Sequence, residues 1–196
     1  MPHDETIASK STDEAFLDMG FFARSPESVA PDLIGAKLLY DGVGGIIVET
    51  EAYHPGDPAS HSFRGQTLRN AAMFGAPGTA YVYRIYGMHW CLNFVCMPGS
   101  AVLIRALEPT VGLGRMTERR NGLAPRLLAS GPGRLCAALG ITRYDDGKSL
   151  LEAPFQLTAN NEARNIVVGP RIGITKAVEE PLRFGLEGSS YLSRKF

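Results

Sequence analysis

Glu51 is the residue best placed by type and surroundings to act as a general base. It sits in the run Ile46-Ile47-Val48-Glu49-Thr50-Glu51-Ala52-Tyr53, and a carboxylate in an apolar strand beside aromatics can hold and deprotonate a water. Two further runs share the stretch from Ile46 to Pro109. One is Thr79-Ala80-Tyr81-Val82-Tyr83-Arg84-Ile85-Tyr86-Gly87-Met88, and the other is Ala101-Val102-Leu103-Ile104-Arg105-Ala106-Leu107-Glu108-Pro109. Strands that carry acidic, aromatic and basic side chains in place of Val and Thr describe an active site built on a sheet. The aromatics hold a flat ligand and one carboxylate does the chemistry. A plainer reading stands beside it: Glu51 pairs with an arginine such as Arg105, and Tyr81 and Tyr83 pack across strands as strand tyrosines commonly do.

Other chemistries find no footing. Nucleophile elbows, zincin motifs and Ser-His-Asp or Cys-His signatures are absent. His3, His54, His61 and His89 are not spaced as metal ligands, and no deaminase-type zinc pattern is present. No metal or other cofactor is expected. Cys91, Cys96 and Cys136 are too far apart for a CxxC pattern, so reduced, buried thiols are expected. The glycine-rich Ser130-Gly131-Pro132-Gly133-Arg134 matches no P-loop or dinucleotide fingerprint.

The 196 residues carry a formal net charge of zero, 44% hydrophobic residues and 20% charged ones, which is ordinary for a globular chain. The balance hides a local excess. Residues 61–134 hold nine arginines, no lysine, and only Glu108 and Glu118 against them. Arginine suits bidentate phosphate contacts, so a polyanionic partner competes with a merely solvated basic face. The N-terminal twenty residues are acidic and contain no apolar run long enough for a signal peptide or a membrane span. A cytosolic-type protein without a membrane partner is the simplest expectation.

The elements that must position these residues follow from pattern. Residues 1–15 are polar and expected to be frayed, inside a flexible acidic tail drawn to about residue 20; Phe16–Phe22 is apolar enough to dock. Residues 21–196 are expected to form one domain. Ser25-Pro26 opens a helix, with Ser25 as N-cap and Gly35 as its stop. Ala36–Asp41 and Gly45–Glu51 pair as a hairpin through Gly42-Val43-Gly44. Strict alternation in the second strand puts Ile47, Glu49, Glu51 and Tyr53 on one face, with Ile46, Val48 and Thr50 facing the core. Thr67–Phe74 reads as a short helix capped by Thr67 and closed by Gly75. Thr79–Tyr86, His89–Met97 and Ala101–Glu108 form an antiparallel meander, with Tyr86 exposed at a hairpin tip. Val111–Arg120 and a segment through Leu139, ended by Gly140, are helix candidates. With no repeat or linker, this is one α+β domain.

Val48-Glu49-Thr50-Glu51-Ala52-Tyr53, His61, Arg69-Asn70, Met73-Phe74, Pro77-Gly78-Thr79, Tyr81 through Met88, Asn93, Leu103 through Pro109 and Gly131-Pro132 together resemble the alkyladenine (3-methyladenine) DNA glycosylase family. The likeness runs from about Pro31 to the end and is densest over 46–109. It implies a curved antiparallel sheet carrying a protruding β-hairpin, surrounded by short helices. It also implies a monofunctional enzyme of base excision repair that flips alkylated or deaminated purines from duplex DNA and hydrolyses the N-glycosidic bond, leaving an abasic site.

By that resemblance Glu51 is the general base and Arg105 helps hold its water. Tyr53, His61, Tyr83 and Asn93 form the base pocket, Asn93 standing where a clash with the amino group of normal guanine is thought to arise. Tyr86 is the wedge that fills the gap in the duplex, and Met88, Leu103, Arg69 and Arg84 touch DNA. The expected partner is double-stranded DNA with damaged purines, met by a monomer, in the nucleoid if the source is bacterial and in the nucleus if eukaryotic. No lyase step is expected, because Lys10, Lys37, Lys148, Lys176 and Lys195 all lie outside 46–109. Leu68 stands where the family often has proline, and the surroundings of His89-Trp90 and of Met97–Ser100 vary, which bears on substrate range. The alternatives are a non-catalytic nucleic-acid-binding module and a hydrolase of free nucleosides.

Overall fold

One long strand, β2 (Val43–Tyr53), takes partners on both sides and carries Glu49, Glu51 and Tyr53. The computed structural model describes residues 15–196; of the tail expected over residues 1–20, residues 1–14 lie outside them. From Phe16 the chain is docked: Phe16 bridges to Thr158, and the Leu17 N–H donates to the Leu157 carbonyl at 2.9 Å.

Among the described residues, eight strands form one curled, wholly antiparallel sheet, and seven of them join β2 here. They are β1 (Lys37–Tyr40), β3 (Ala80–Ile85), β4 (His89–Val95), β5 (Ala101–Val111), β6 (Phe155–Thr158), β7 (Ile166–Gly169) and β8 (Arg183–Leu186). The path runs β3-β4-β5-β2-β1-β6, and β8 pairs with both β2 and β7. Five short helices surround it: α1 (Met19–Phe22), α2 (Pro26–Asp32), α3 (Leu113–Arg119), α4 (Pro125–Leu128) and α5 (Pro132–Leu139). The α+β domain with a curved antiparallel sheet and a projecting β3–β4 hairpin is therefore what the chain builds.

Alternation along β3, β4 and β5 divides the sheet into two faces. Val82, Leu92, Phe94, Val102 and Ile104 enter the main core with Val29 of α2, Leu33 just past its end, and Leu135 and Leu139 of α5. Their odd-numbered neighbours Tyr81, Tyr83, Cys91, Asn93, Leu103 and Arg105 line a cavity on the other face. A smaller cluster of Met73, Tyr81, Val95 and Ala101 supports that face.

In β2 the alternation slips. Against β5, Ile47 opposes Leu107, Glu49 opposes Ala106 and Thr50 opposes Ile104, with register shifts on either side of Glu49. Ile47 consequently joins the core with Ala52, and the Thr50 hydroxyl donates to the Ala30 carbonyl of α2 at 2.9 Å. The expectation that Ile47 shares the Glu51 face is overturned, because an irregular register rotates the strand by one position.

Three local expectations also shift. The β1–β2 turn is Asp41-Gly42, with φ of 49° and 69°, and Val43 already pairs with Tyr40. Asp-Gly is the pair that tolerates left-handed backbone in a two-residue hairpin. Ser25 stands at the α2 N-cap without a capping side-chain bond; its Oγ meets Ser28 Oγ at 3.1 Å. The helix expected from Thr67 contracts to a 3-10 turn, Ala71–Phe74, because Asn70 Oδ1 accepts from the Thr67 N–H at 2.6 Å and holds the preceding residues in a loop.

Candidate active site

Glu51 is fully buried, and every group around its carboxylate is a donor. Oε1 accepts from the Ile172 N–H at 2.8 Å and pairs with Arg105 Nη1 at 3.2 Å; Oε2 accepts from the Tyr53 hydroxyl at 2.8 Å. Burial first, then the Glu51 carboxylate, raises the Tyr53 hydroxyl well above the ordinary tyrosine range, so it remains a donor. Arg105 comes from β5 and spans two carboxylates, with its Nε donating to Glu49 Oε1 at 3.0 Å. Burial alone would lower Arg105, but Glu51 and then Glu49 outweigh it and raise it. The ion pair foreseen as the plain reading of Glu51 thus exists, and it lies against a cavity.

That cavity has a volume of about 940 Å³, within the range of ligand sites. Glu51 does not line it, but Tyr53, Arg105 and Ile172, which hold its carboxylate, all do. The aromatic wall is ordered by close ring contacts. His61 meets Tyr83 edge-on at 4.5 Å between centroids, and Tyr81 and Tyr83 lie 5.5 Å apart at 33°. His61 Nδ1 is 2.8 Å from the Tyr81 hydroxyl. Burial, and then the nearby Arg69, lowers the His61 pKa, which favours neutral imidazole. Burial is also the leading cause that raises Tyr81 and Tyr83 above their usual range. Asn93 donates through Nδ2 to the Tyr81 carbonyl at 3.1 Å, which fixes its side chain in the wall.

The fold thus brings Glu51 and Arg105 together and gathers Tyr53, His61, Tyr83 and Asn93 around one space. Tyr86 and Met88 stand at the hairpin tip, 80% and 66% exposed, and Arg69 and Arg84 lie at the cavity mouth. The Arg84 guanidinium also sits 5.7 Å from the Trp90 ring centre. Leu103 is only 4% exposed and lies in the cavity wall, on the odd-numbered face of β5.

Sequence reasoning missed the segment 171–176. Arg171 is buried in an ion pair with Asp57, donates to the Ala52 carbonyl at 3.0 Å, and places its guanidinium 4.6 Å from the Tyr53 ring centre. The next residue supplies the Ile172 N–H to Glu51. Lys176, outside 46–109 in sequence, lines the same cavity, so a position outside that stretch does not keep a lysine from the site. Glu49, Arg183 and Ser193 form a second missed group. The available signal was Glu49 and Arg183 themselves, charged residues inside strand-like runs that burial obliges to find partners. Among the described residues, no cluster of three or more His, Cys, Asp or Glu could hold a metal ion.

Comparison with known proteins decides what this geometry belongs to. A profile of the methylpurine-DNA glycosylase family matches residues 20–190. The chain belongs to the methylpurine-DNA glycosylase family. Proteins named as candidate 3-methyladenine DNA glycosylases are similar along nearly their whole length. One from Rhizobium meliloti (strain 1021) is 61% identical over 179 residues, covering 91% of this chain and 97% of its own. Another from Rhodopseudomonas palustris (strain CGA009) is 60% identical over 183 residues, covering 92% and 89%. One from Nitrosospira multiformis is 60% identical over 178 residues, covering 89% and 92%. Methylpurine-DNA glycosylase membership makes the chain a hydrolase of DNA repair with DNA as its substrate.

Proposed function

We propose that this methylpurine-DNA glycosylase rotates alkylated or deaminated purines into the aromatic cavity and hydrolyses the N-glycosidic bond with a water activated by Glu51. The candidate lesions are 3-methyladenine, 7-methylguanine, hypoxanthine and ethenoadenine, and the product is an abasic site. The observation that carries this reading is a buried carboxylate held by three residues that all line one cavity of about 940 Å³.

The chemistry follows from charge. Loss of the base makes the sugar oxocarbenium-like, and an anionic Glu51 behind the wall stabilises that charge as well as taking a proton from water. Water attacks C1′, the C1′–N bond breaks, and the electron pair leaves with the base. A base already methylated to a cation departs without an acid catalyst, so one carboxylate suffices for it; neutral hypoxanthine and ethenoadenine leave as anions and take up the proton that the attacking water releases. Uncharged Tyr81, Tyr83 and His61 suit a cationic base, offering π faces without like charge. Asp57 and Arg171 brace Tyr53 from behind the wall. Tyr86, exposed at the tip of the hairpin where it borders the cavity, fills the gap that the rotated nucleotide leaves.

A duplex containing hypoxanthine, treated with alkali after incubation, reports excision as strand breaks at the lesion. Glu51→Gln keeps the shape and two of the three contacts, and it is expected to bind the lesion while excision falls by several powers of ten. Cleavage by Glu51→Gln at the wild-type rate would end the proposal. Omitting the alkali tests the single-step character. Strand breaks without it, abolished by Lys176→Ala, would replace hydrolysis alone with an added lyase step.

A further inference from the structure

Glu49 is fully buried one alternation away from Glu51, yet the hydrolysis gives it no task. It accepts from Arg105 Nε at 3.0 Å, Arg183 Nε at 2.8 Å, the Ser193 N–H at 2.5 Å and the Ser193 hydroxyl at 2.8 Å. Ser193 also accepts from Arg105 Nη2 at 3.3 Å. All three guanidinium nitrogens of Arg105 are therefore engaged: Nε by Glu49, Nη1 by Glu51 and Nη2 by Ser193. A planar group gripped at three corners has its plane fixed.

The segment bearing Ser193 is itself clamped. Arg183 donates to the Arg194 carbonyl at 2.5 Å and lies 3.8 Å from the Phe196 ring centre. Phe196 fills a notch over Gly185, where an added Cβ would come within 2.4 Å of its ring. An alanine there would push the ring aside.

We propose that Ser193 is a positioning residue for excision: it holds Arg105 in the plane from which Nη1 reaches Glu51, and residues 193–196 act as the clasp that keeps it there. This rests on the reading of Glu51 and Arg105 as the hydrolytic pair. Ser193→Ala leaves the backbone N–H on Glu49 and removes only the hydroxyl that joins Glu49 to Arg105. Neither residue of that pair is altered.

The test uses the full chain and a hypoxanthine duplex under single-turnover conditions, with affinity measured on a duplex carrying a stable abasic-site analogue. Ser193→Ala should excise roughly tenfold more slowly, the scale of one hydrogen bond to a charged group, while affinity stays within about twofold. Ser193→Thr, which keeps the hydroxyl, should recover most of the rate. Gly185→Ala, which displaces Phe196 from outside the network, should lower the rate in the same selective way. Wild-type excision by Ser193→Ala would overturn the proposal. So would a joint loss of rate, affinity and melting temperature that Ser193→Thr does not recover. Glu51→Gln in parallel separates the two readings. If it cleaves normally, the hydrolytic reading falls and Ser193 with it; if it is dead while Ser193→Ala is fully active, only the role of Ser193 falls.

Discussion

Protonating His61 would put a cation into the aromatic wall, beside Arg69. Its pKa in the folded protein is lowered by burial and then by Arg69, so the neutral form holds above the ordinary value of about 6.5. As pH falls from there through the lowered value, the charged form is disfavoured in the fold but not in the unfolded chain. The fold loses stability over that window, and a cationic base loses its place on the ring. The effect is readable in Glu51→Gln, which binds without cleaving. Its affinity for a 7-methylguanine duplex should weaken between pH 7 and 5 more than its affinity for a hypoxanthine duplex. His61→Asn should remove the difference between the two lesions. Equal acid responses for both lesions would show that His61 does not face the base. The tyrosines set no limit on the alkaline side, since Tyr53, Tyr81 and Tyr83 are all raised.

At the scale of elements, the β3–β4 hairpin carries a conflict between stability and use. Tyr86 has φ of 51° and Gly87 has φ of 69°. A bulky residue in left-handed backbone costs about 1–2 kcal/mol, and an exposed ring recovers little of it. Tyr86→Gly should therefore leave stability to denaturant unchanged or raise it by up to about 1 kcal/mol, while excision from duplex DNA falls. Excision from single-stranded DNA should fall less. A clear loss of stability would mean that the ring packs against the domain, contrary to its 80% exposure.

What the sequence made legible, and what it hid, divides along the same elements. The meander, its hairpin tip and the split between Tyr83 and Tyr86 follow from alternation and turn chemistry, which are local. Ile47 went to the wrong face because a register shift depends on the partner strand, and the composition of β2 does not reveal it. Thr67 lost its helix to the Asn70 side-chain oxygen, which accepts from both its N–H and its hydroxyl. Ile172 could not be foreseen as a partner of Glu51, since its contribution is a backbone N–H, which every residue but proline has. The likeness over 46–109 supplied much of the cavity lining, while residues 172–176 also line it and carried no such signal.

For the molecule as a whole, the arginine excess of residues 61–134 proves partly structural. Arg105 is buried, Arg115 pairs with Asp41, Arg119 caps the α5 carbonyls at Ala138 and Leu139, and Arg120 donates to the Leu128 carbonyl. Arg64, Arg69, Arg84 and Lys176 remain around the cavity mouth. Four phosphate contacts correspond to a slope near −4 for log affinity against log salt, or roughly a hundredfold loss between 50 and 200 mM. Arg64→Ala should reduce the slope by about one, while Arg115→Ala should leave it unchanged. A slope near −7 would mean that further arginines, such as the exposed Arg126 and Arg134, also reach the backbone.

Glu49 and Ser193 lie 144 residues apart, Glu49 and Arg183 134, and Asp57 and Arg171 114. Strand β2 waits for β8, and the base-side wall waits for its counterpart near residue 172. Contacts this distant close late, after the entropy of long loops has been overcome. During synthesis the aromatic residues and β2 leave the ribosome well before their partners exist. A nascent chain that has not yet delivered residue 193 can carry the whole 46–109 stretch and still lack the frame that holds Arg105 against Glu51. The assembled site therefore has to wait until residue 193 has been made, and a fragment stalled before it lacks that site.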